Sequence, residues 1–307
     1  MKVREKFFPI RFTSNPKSVI LLTKNGGMVL KYIERQIGRD TIKMEEFGSI
    51  GEFLSTIHSR SLNSVFDDGN ELASQRKGRA DWSGTDDYPE ALDLLEKGWS
   101  IEAQTLAKAV PIAQKTQMGA SQRHKPVYSV VGGQASVPRY LQGIPTNMID
   151  RKAIPMKHKI LVLNKSMTYA AKTNVEKIRQ EGIKTLKIIQ TLEARGYRTK
   201  LFIVFSTTEG YETNAVRICI KRPEERLSLQ KIAFPMVHPA MLRRIGFRWL
   251  ETAPNLKDSK YRWGYGTPDF ASLMDVLDRK EIMLPGFLPD HLEKFIEEQI
   301  IGKVDKR

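Results

Sequence analysis

Lys159-Ile160-Leu161-Val162-Leu163 and Lys200-Leu201-Phe202-Ile203-Val204-Phe205 are two runs of β-favouring apolar residues, and the chain between them decides the fold. Each reads as a short strand buried on both faces, the first closed by a polar turn at Asn164. Between them Val175, Ile178, Gly182, Thr185 or Leu186, Ile189 and Leu192 recur every three or four residues, which predicts a helix over 172–194. Lys177, Lys184 and Lys187 then point away from its apolar face, and Gly196 ends it. The result is a βαβ unit. A third strand over 215–220 follows a turn at Glu209-Gly210. The expected architecture is α/β, with a mostly parallel central sheet covered by helices on both faces.

Downstream, 229–234 reads as another strand, 239–245 as a short helix leading into a strand that runs to 251, and 270–277 as a helix. A final strand over 282–284 and a terminal helix over 292–301 close the chain. Upstream, strands are expected at 19–22 and 28–33 around a turn at Asn25-Gly26-Gly27, and a helix over 50–59. Asp87 and Glu90 form a capping box for a helix over 88–97, which Gly98 closes. A helix over 101–114 is bent or broken by Pro111. A strand over 127–131 reaches a tight turn at Gly132-Gly133, and Val137 starts a short helix. The chain thus divides into an α+β N-terminal region, 1–154, and an α/β domain, 155–307.

Fifty Lys and Arg stand against thirty-five Asp and Glu, a net charge of +15. That excess favours encounter with nucleic acid or with an acidic protein surface, without selecting between them. Residues 111–159 carry eight of the cations, among them Lys125 and Arg139, with Asp150 as the one acid and Tyr128 and Tyr140 as the aromatics. Arg243, Arg244 and Arg248 form the densest arginine cluster and interleave with Phe247 and Trp249. The cluster suits phosphate or carboxylate recognition with base stacking; equally, Phe247 and Trp249 are core side chains with Arg248 facing water. Trp263 belongs to an aromatic patch over 261–266 of the kind that contacts partners. Cys219 is alone, so it forms no internal disulfide and reads as a buried structural thiol. No apolar run approaches membrane-spanning length and Met1 to Lys6 lack a secretory leader, so a cytosolic protein without membrane contact is expected.

Asn164-Lys165-Ser166-Met167-Thr168, placed after the first strand and before the long helix, resembles the Asp-x-Ser-x-Ser metal-adhesion loop of von Willebrand factor A domains. The resemblance covers roughly residues 155–290 and implies a von Willebrand A-like or Rossmann-like sheet. It also implies Mg²⁺ on Asn164, Ser166 and Thr168, although Asn164 stands where the family has a carboxylate, which a hard cation prefers. The segments from Trp82 to Trp99, Gly132 to Met148 and His238 to Arg244 resemble uncharacterised tailed-bacteriophage proteins. That resemblance implies a protein of the infected host's cytoplasm or of the virion, with a homo-oligomer among the forms it takes.

Catalytic signatures are sparse. None of His58, His124, His158, His238 and His291 pairs with another at the four-residue spacing of a helical zinc motif. Asp67-Asp68 and Asp86-Asp87 are neighbours that do not share a helix face, so neither specifies a two-metal nuclease. No P-loop lysine or nucleophile elbow occurs. The reading that results is a non-enzymatic, phage-related binding or assembly protein contacting an acidic partner. Alternatives are a nucleic-acid-binding protein acting during infection and a module that binds its partner through a divalent metal.

Overall fold

The computed structural model describes residues 8–9, 18–25, 28–63, 71–109, 124–153, 159–254, 273 and 276–302. Trp263 and its aromatic neighbours, the Gly26-Gly27 turn and most of the helix predicted over 270–277 lie outside the described residues.

The strands in chain order are β1 (Phe8–Pro9), β2 (Ser18–Asn25), β3 (Met28–Ile37), β4 (Asp40–Phe47), β5 (His124–Ser129), β6 (Gln134–Ala135), β7 (Met148–Ala153), β8 (Ile160–Ser166), β9 (Arg198–Glu209), β10 (Glu212–Lys221) and β11 (Ile282–Leu284). Among the described residues they make an eight-stranded sheet in the order β1-β2-β3-β4-β10-β9-β8-β11 and a small sheet, β5-β7-β6. The predicted βαβ unit is present: β8 and β9 are parallel, with Leu163 opposite Leu201, and the helix Val175–Ala194 joins them.

The sheet is mixed rather than mostly parallel. β8 is parallel to both β9 and β11, and β4 to β10. β9 and β10 run antiparallel because a tight turn joins them, with Gly210 at a φ of 61°. The meander β2-β3-β4 adds further antiparallel pairs. Thr41 to Phe47 of β4 lie beside Glu212 to Ile218 of β10, so strands from both sides of residue 154 share one sheet.

Helices cover one face: α1 (Ile50–Ser59), α2 (Ala80–Ser83), α3 (Tyr88–Lys97), α4 (Ser100–Ala109), then, beyond the short α5 (Val137–Leu141) of the small sheet, α6 (Val175–Ala194), α7 (Leu229–Val237) and α8 (Phe247–Thr252). Asp87 caps α3 as expected, its Oδ1 accepting from Glu90 N at 3.0 Å, whereas Glu90 reaches one residue beyond the capping-box position, to Asp86 N at 2.7 Å. Ile178, Leu186, Ile189 and Leu192 of α6 are buried. Its Gly182 meets α7 so closely that an added Cβ would be driven into the Met236 carbonyl. On the opposite face Ile33, Ile42, Met44, Val204 and Ala215 pack with Leu273.

Two predicted strands are helical. Residues 229–234 belong to α7, and 241–246 form a π-helical turn running straight into α8 where a strand was expected. Both segments are apolar on nearly every side because they are buried on nearly every side, and such runs carry no period that separates helix from strand. The chain ends in α9 (Leu292–Phe295) and a π-helical turn over Ile296–Ile301.

Candidate partner-binding surface

The arginine cluster is internal. Arg243 and Arg244 lie on the π-helical turn, 2% and 1% exposed. Arg243 donates to the carbonyls of Trp82 and, at 2.7 Å, of Thr173, with its guanidinium 4.7 Å from the centre of the Trp82 ring. Arg244 donates to the carbonyls of Ser74, Arg76, Thr85 and Asp86 and to Ser83 Oγ. Burial pushes the Arg243 guanidinium down to about 10. The two side chains therefore hold the 74–86 loop and the 171–173 turn against the helical layer, where the sequence pattern suggested phosphate contacts. Arg248 is partly buried near Glu251, at 3.9 Å, and Trp249 is a core side chain whose Nε1 donates to Glu45 at 2.7 Å.

The metal-loop positions are also engaged. Asn164 donates to Glu281 at 2.9 Å and accepts from Arg217 at 3.4 Å. Arg217 itself pairs with Glu281 at 2.5 Å and Glu46 at 2.7 Å, and stacks on Phe202. Burial raises the Glu46 carboxyl, but Arg217 and Lys31 bring it below the usual range. Thr168 Oγ1 accepts from the Ser206 backbone N–H at 2.9 Å, and Ser166 is buried on β8. With a guanidinium beside Asn164, and the Glu281 carboxylate that Asn164 bonds paired with that guanidinium, these residues do not fit Mg²⁺.

Other buried cations follow the same pattern. Lys165 is buried and donates to Pro285 O at 2.5 Å and Gly286 O at 2.7 Å; burial pushes its amine down to about 7. Lys221 pairs with Glu193 at 2.6 Å.

The small sheet differs. Its strands pair as Tyr128↔Ile149 and Pro126↔Arg151, so alternation places Tyr128, Ile149 and Arg151 on one face and Lys125 on the other. Arg139 of α5 stacks on Tyr128 with its guanidinium 4.0 Å from the ring centre. Lys125 and Arg151 are exposed, and among the described residues no ion pair joins them or Arg139 to a carboxylate. Asp150, the acid of this segment, accepts from the neighbouring Arg151 backbone N–H at 2.8 Å. The loop 130–133 carries the chain from β5 on one side of β7 to β6 on the other. Gly132 makes that crossing possible, since a Cβ there would lie 2.6 Å from Ile149 O.

Sequence reasoning singled out Lys125 and Arg139 but not the apolar residues around them. Val130, Val131, Val137, Tyr140 and Leu141 are all exposed, Leu141 at 79%. The signal available was the spacing of Val137, Tyr140 and Leu141, one stripe of a helix set in a segment otherwise polar and basic.

The chain belongs to the family described as a Domain of unknown function (DUF7192), which matches residues 31–298. No curated protein and no solved structure matches it.

Proposed function

We propose that this chain is a phage-related binding or assembly protein, without catalysis of its own, that engages an acidic partner through β5, β7, β6 and α5. The segregation of charge carries this reading. In the α/β body Arg217 and Lys221 are paired with carboxylates, and Arg243, Arg244 and Lys165 are bonded to the chain's own carbonyls. On the small sheet Arg139 and Arg151 stand at the surface without an ionic partner among the described residues. Cations without an ion pair inside the fold are available for long-range attraction, and their charge speeds encounter with an oppositely charged surface.

Nucleic acid is the second reading, favoured by the Arg139–Tyr128 stack, since an aromatic ring beside a guanidinium is a base-stacking platform. Both readings place the protein in the host cytoplasm or in the particle. The test is a salt series with purified, nucleic-acid-free protein against duplex DNA, single-stranded DNA and polyglutamate. At least one polyanion is expected to bind, with affinity falling as salt rises, and Arg139→Glu/Arg151→Glu is expected to lose that binding. Absence of binding to all three at low salt, or full binding by the double variant, rejects the assignment.

A further inference from the structure

We infer that the partner is a protein that presents an apolar patch ringed by carboxylates, and that docking gives the small sheet the hydrophobic core it lacks. This rests on the acidic-partner reading above and takes it from charge to the class of molecule.

No residue of 124–153 joins either buried apolar cluster of the described chain. Helix α5 has no buried side chain, and Tyr128, Val130, Val131, Val137, Tyr140 and Leu141 are exposed, between 52% and 79%. A three-stranded sheet of this size gains stability by burying one face, and among the described residues neither face joins an apolar core. The shape is nevertheless set. Ser136 N donates to Asn147 O at 2.7 Å, Ile144 N to Arg139 O at 3.0 Å, and Gly132 rests on the β7 backbone. Elements held in place with their apolar residues outward form a surface ready for a partner.

Three observations select the occupant. Val130, Val131, Val137 and Leu141 are aliphatic, and aliphatic surface gains only when another apolar surface displaces its water, which a sugar-phosphate backbone does not offer. Only Tyr128 and Tyr140 carry rings among the exposed apolar residues of this surface, so beside the Arg139–Tyr128 stack it offers no run of platforms for successive bases. Finally, Arg139 and Arg151 give the face one sign of charge, so two copies of this chain meeting through it would set cations against cations. An apolar patch rimmed by Asp and Glu satisfies all three.

The test uses the full chain and three probes: an amphipathic helical peptide with leucines on one face and glutamates on the other, polyglutamate of equal charge, and oligodeoxythymidylate. The peptide is expected to bind about tenfold or more tighter than polyglutamate, a gain that Val137→Asp/Leu141→Asp removes while its melting temperature stays unchanged. Amide exchange across 124–153 is expected to slow when the peptide is added. Peptide binding no tighter than polyglutamate, or unaltered amide exchange, overturns the inference and leaves the acidic-partner reading standing. Oligodeoxythymidylate binding tighter than the peptide and indifferent to the double variant does the same in favour of nucleic acid. Failure of all three probes overturns both.

Discussion

The Arg243 guanidinium lies 4.7 Å from the centre of the Trp82 ring, joining the π-helical turn over 241–246 to α2, 161 residues earlier in the chain. Its neighbour Arg244 reaches four carbonyls of the same 74–86 stretch. Truncating Arg244 leaves the buried Ser74 and Thr85 carbonyls without this donor, at a cost of about 3 kcal/mol or more. Arg244→Ala is therefore expected to lower the urea midpoint sharply, and Arg243→Ala to a similar degree. A variant that unfolds at the wild-type midpoint but has lost polyanion binding would return the cluster to the surface role its charge suggested.

Most of the sheet was legible in the residues, and the arginines were not, for one reason. α6 shows its period because Lys177 and Lys187 stand beside Ile178 and Ile189, and β8 and β9 show as apolar runs; the polar turn expected at Asn164 is absent, since Asn164 is buried inside β8, which continues to Ser166. Around Arg243 and Arg244 the contrast is missing. Met241, Leu242 and Ile245 are buried together with the two arginines, so a helix enclosed on all sides looks like a basic surface segment. The clue was that apolar residues stand on both sides of the pair, which a solvated helix does not sustain. The antiparallel β9–β10 pair was readable from the Glu209-Gly210 turn, whereas the pairing of β4 with β10 joins residues with no local signal between them.

Gly182 fixes the approach of α6 to α7. An added Cβ would also lie 2.6 Å from Val237 Cγ1. Alanine is the better helix former by about 1 kcal/mol, yet overpacking typically costs about 1–3 kcal/mol, so steric conflict wins. Gly182→Ala is expected to melt below the wild type; a higher melting temperature would show that the helices separate freely.

His238 makes stability depend on acid. Its ring stacks on Phe234 and meets Trp99 edge-on, both at 4.7 Å, and Nδ1 accepts from Ala240 N at 3.1 Å. Burial pushes its pKa from 6.5 down to about 4. The unfolded chain thus takes up a proton near 6.5 that the folded chain refuses until about 4, so stability is lost as pH falls through that window. The loss amounts to about 3 kcal/mol. His238→Gln is expected to flatten the curve between pH 4 and 6.5, whatever its effect at pH 8; an unchanged slope would place the titration elsewhere.

Lys165 acts in the opposite half of the pH range. With its amine pushed from 10.5 down to about 7, the folded chain sheds this proton near neutrality while the unfolded chain keeps it. Stability from this group therefore rises with pH above about 7 until the unfolded amine also titrates. Replacement by Met retains much of the stem and removes the charge, leaving the Pro285 and Gly286 carbonyls without this donor. The difference in unfolding free energy between wild type and Lys165→Met is expected to move in favour of the wild type from pH 7 to 9. A constant difference would mean that the amine stays charged in the fold.

The small sheet should be nearly silent in stability measurements on the free protein. Tyr140 and Leu141 are 69% and 79% exposed, so Tyr140→Ser/Leu141→Ser removes little burial and is expected to change unfolding free energy by about 0.5 kcal/mol or less. Leu186, buried on α6 in the main core, is the comparison: truncation to Ala is expected to cost about 2–5 kcal/mol. If the α5 variant were as destabilised as Leu186→Ala, those side chains would already have a core within this chain, and the surface would be closed to a partner. If it is silent alone yet abolishes binding of the leucine-glutamate peptide, the apolar stripe contributes free energy only in the complex, as expected of a surface whose core is supplied from outside.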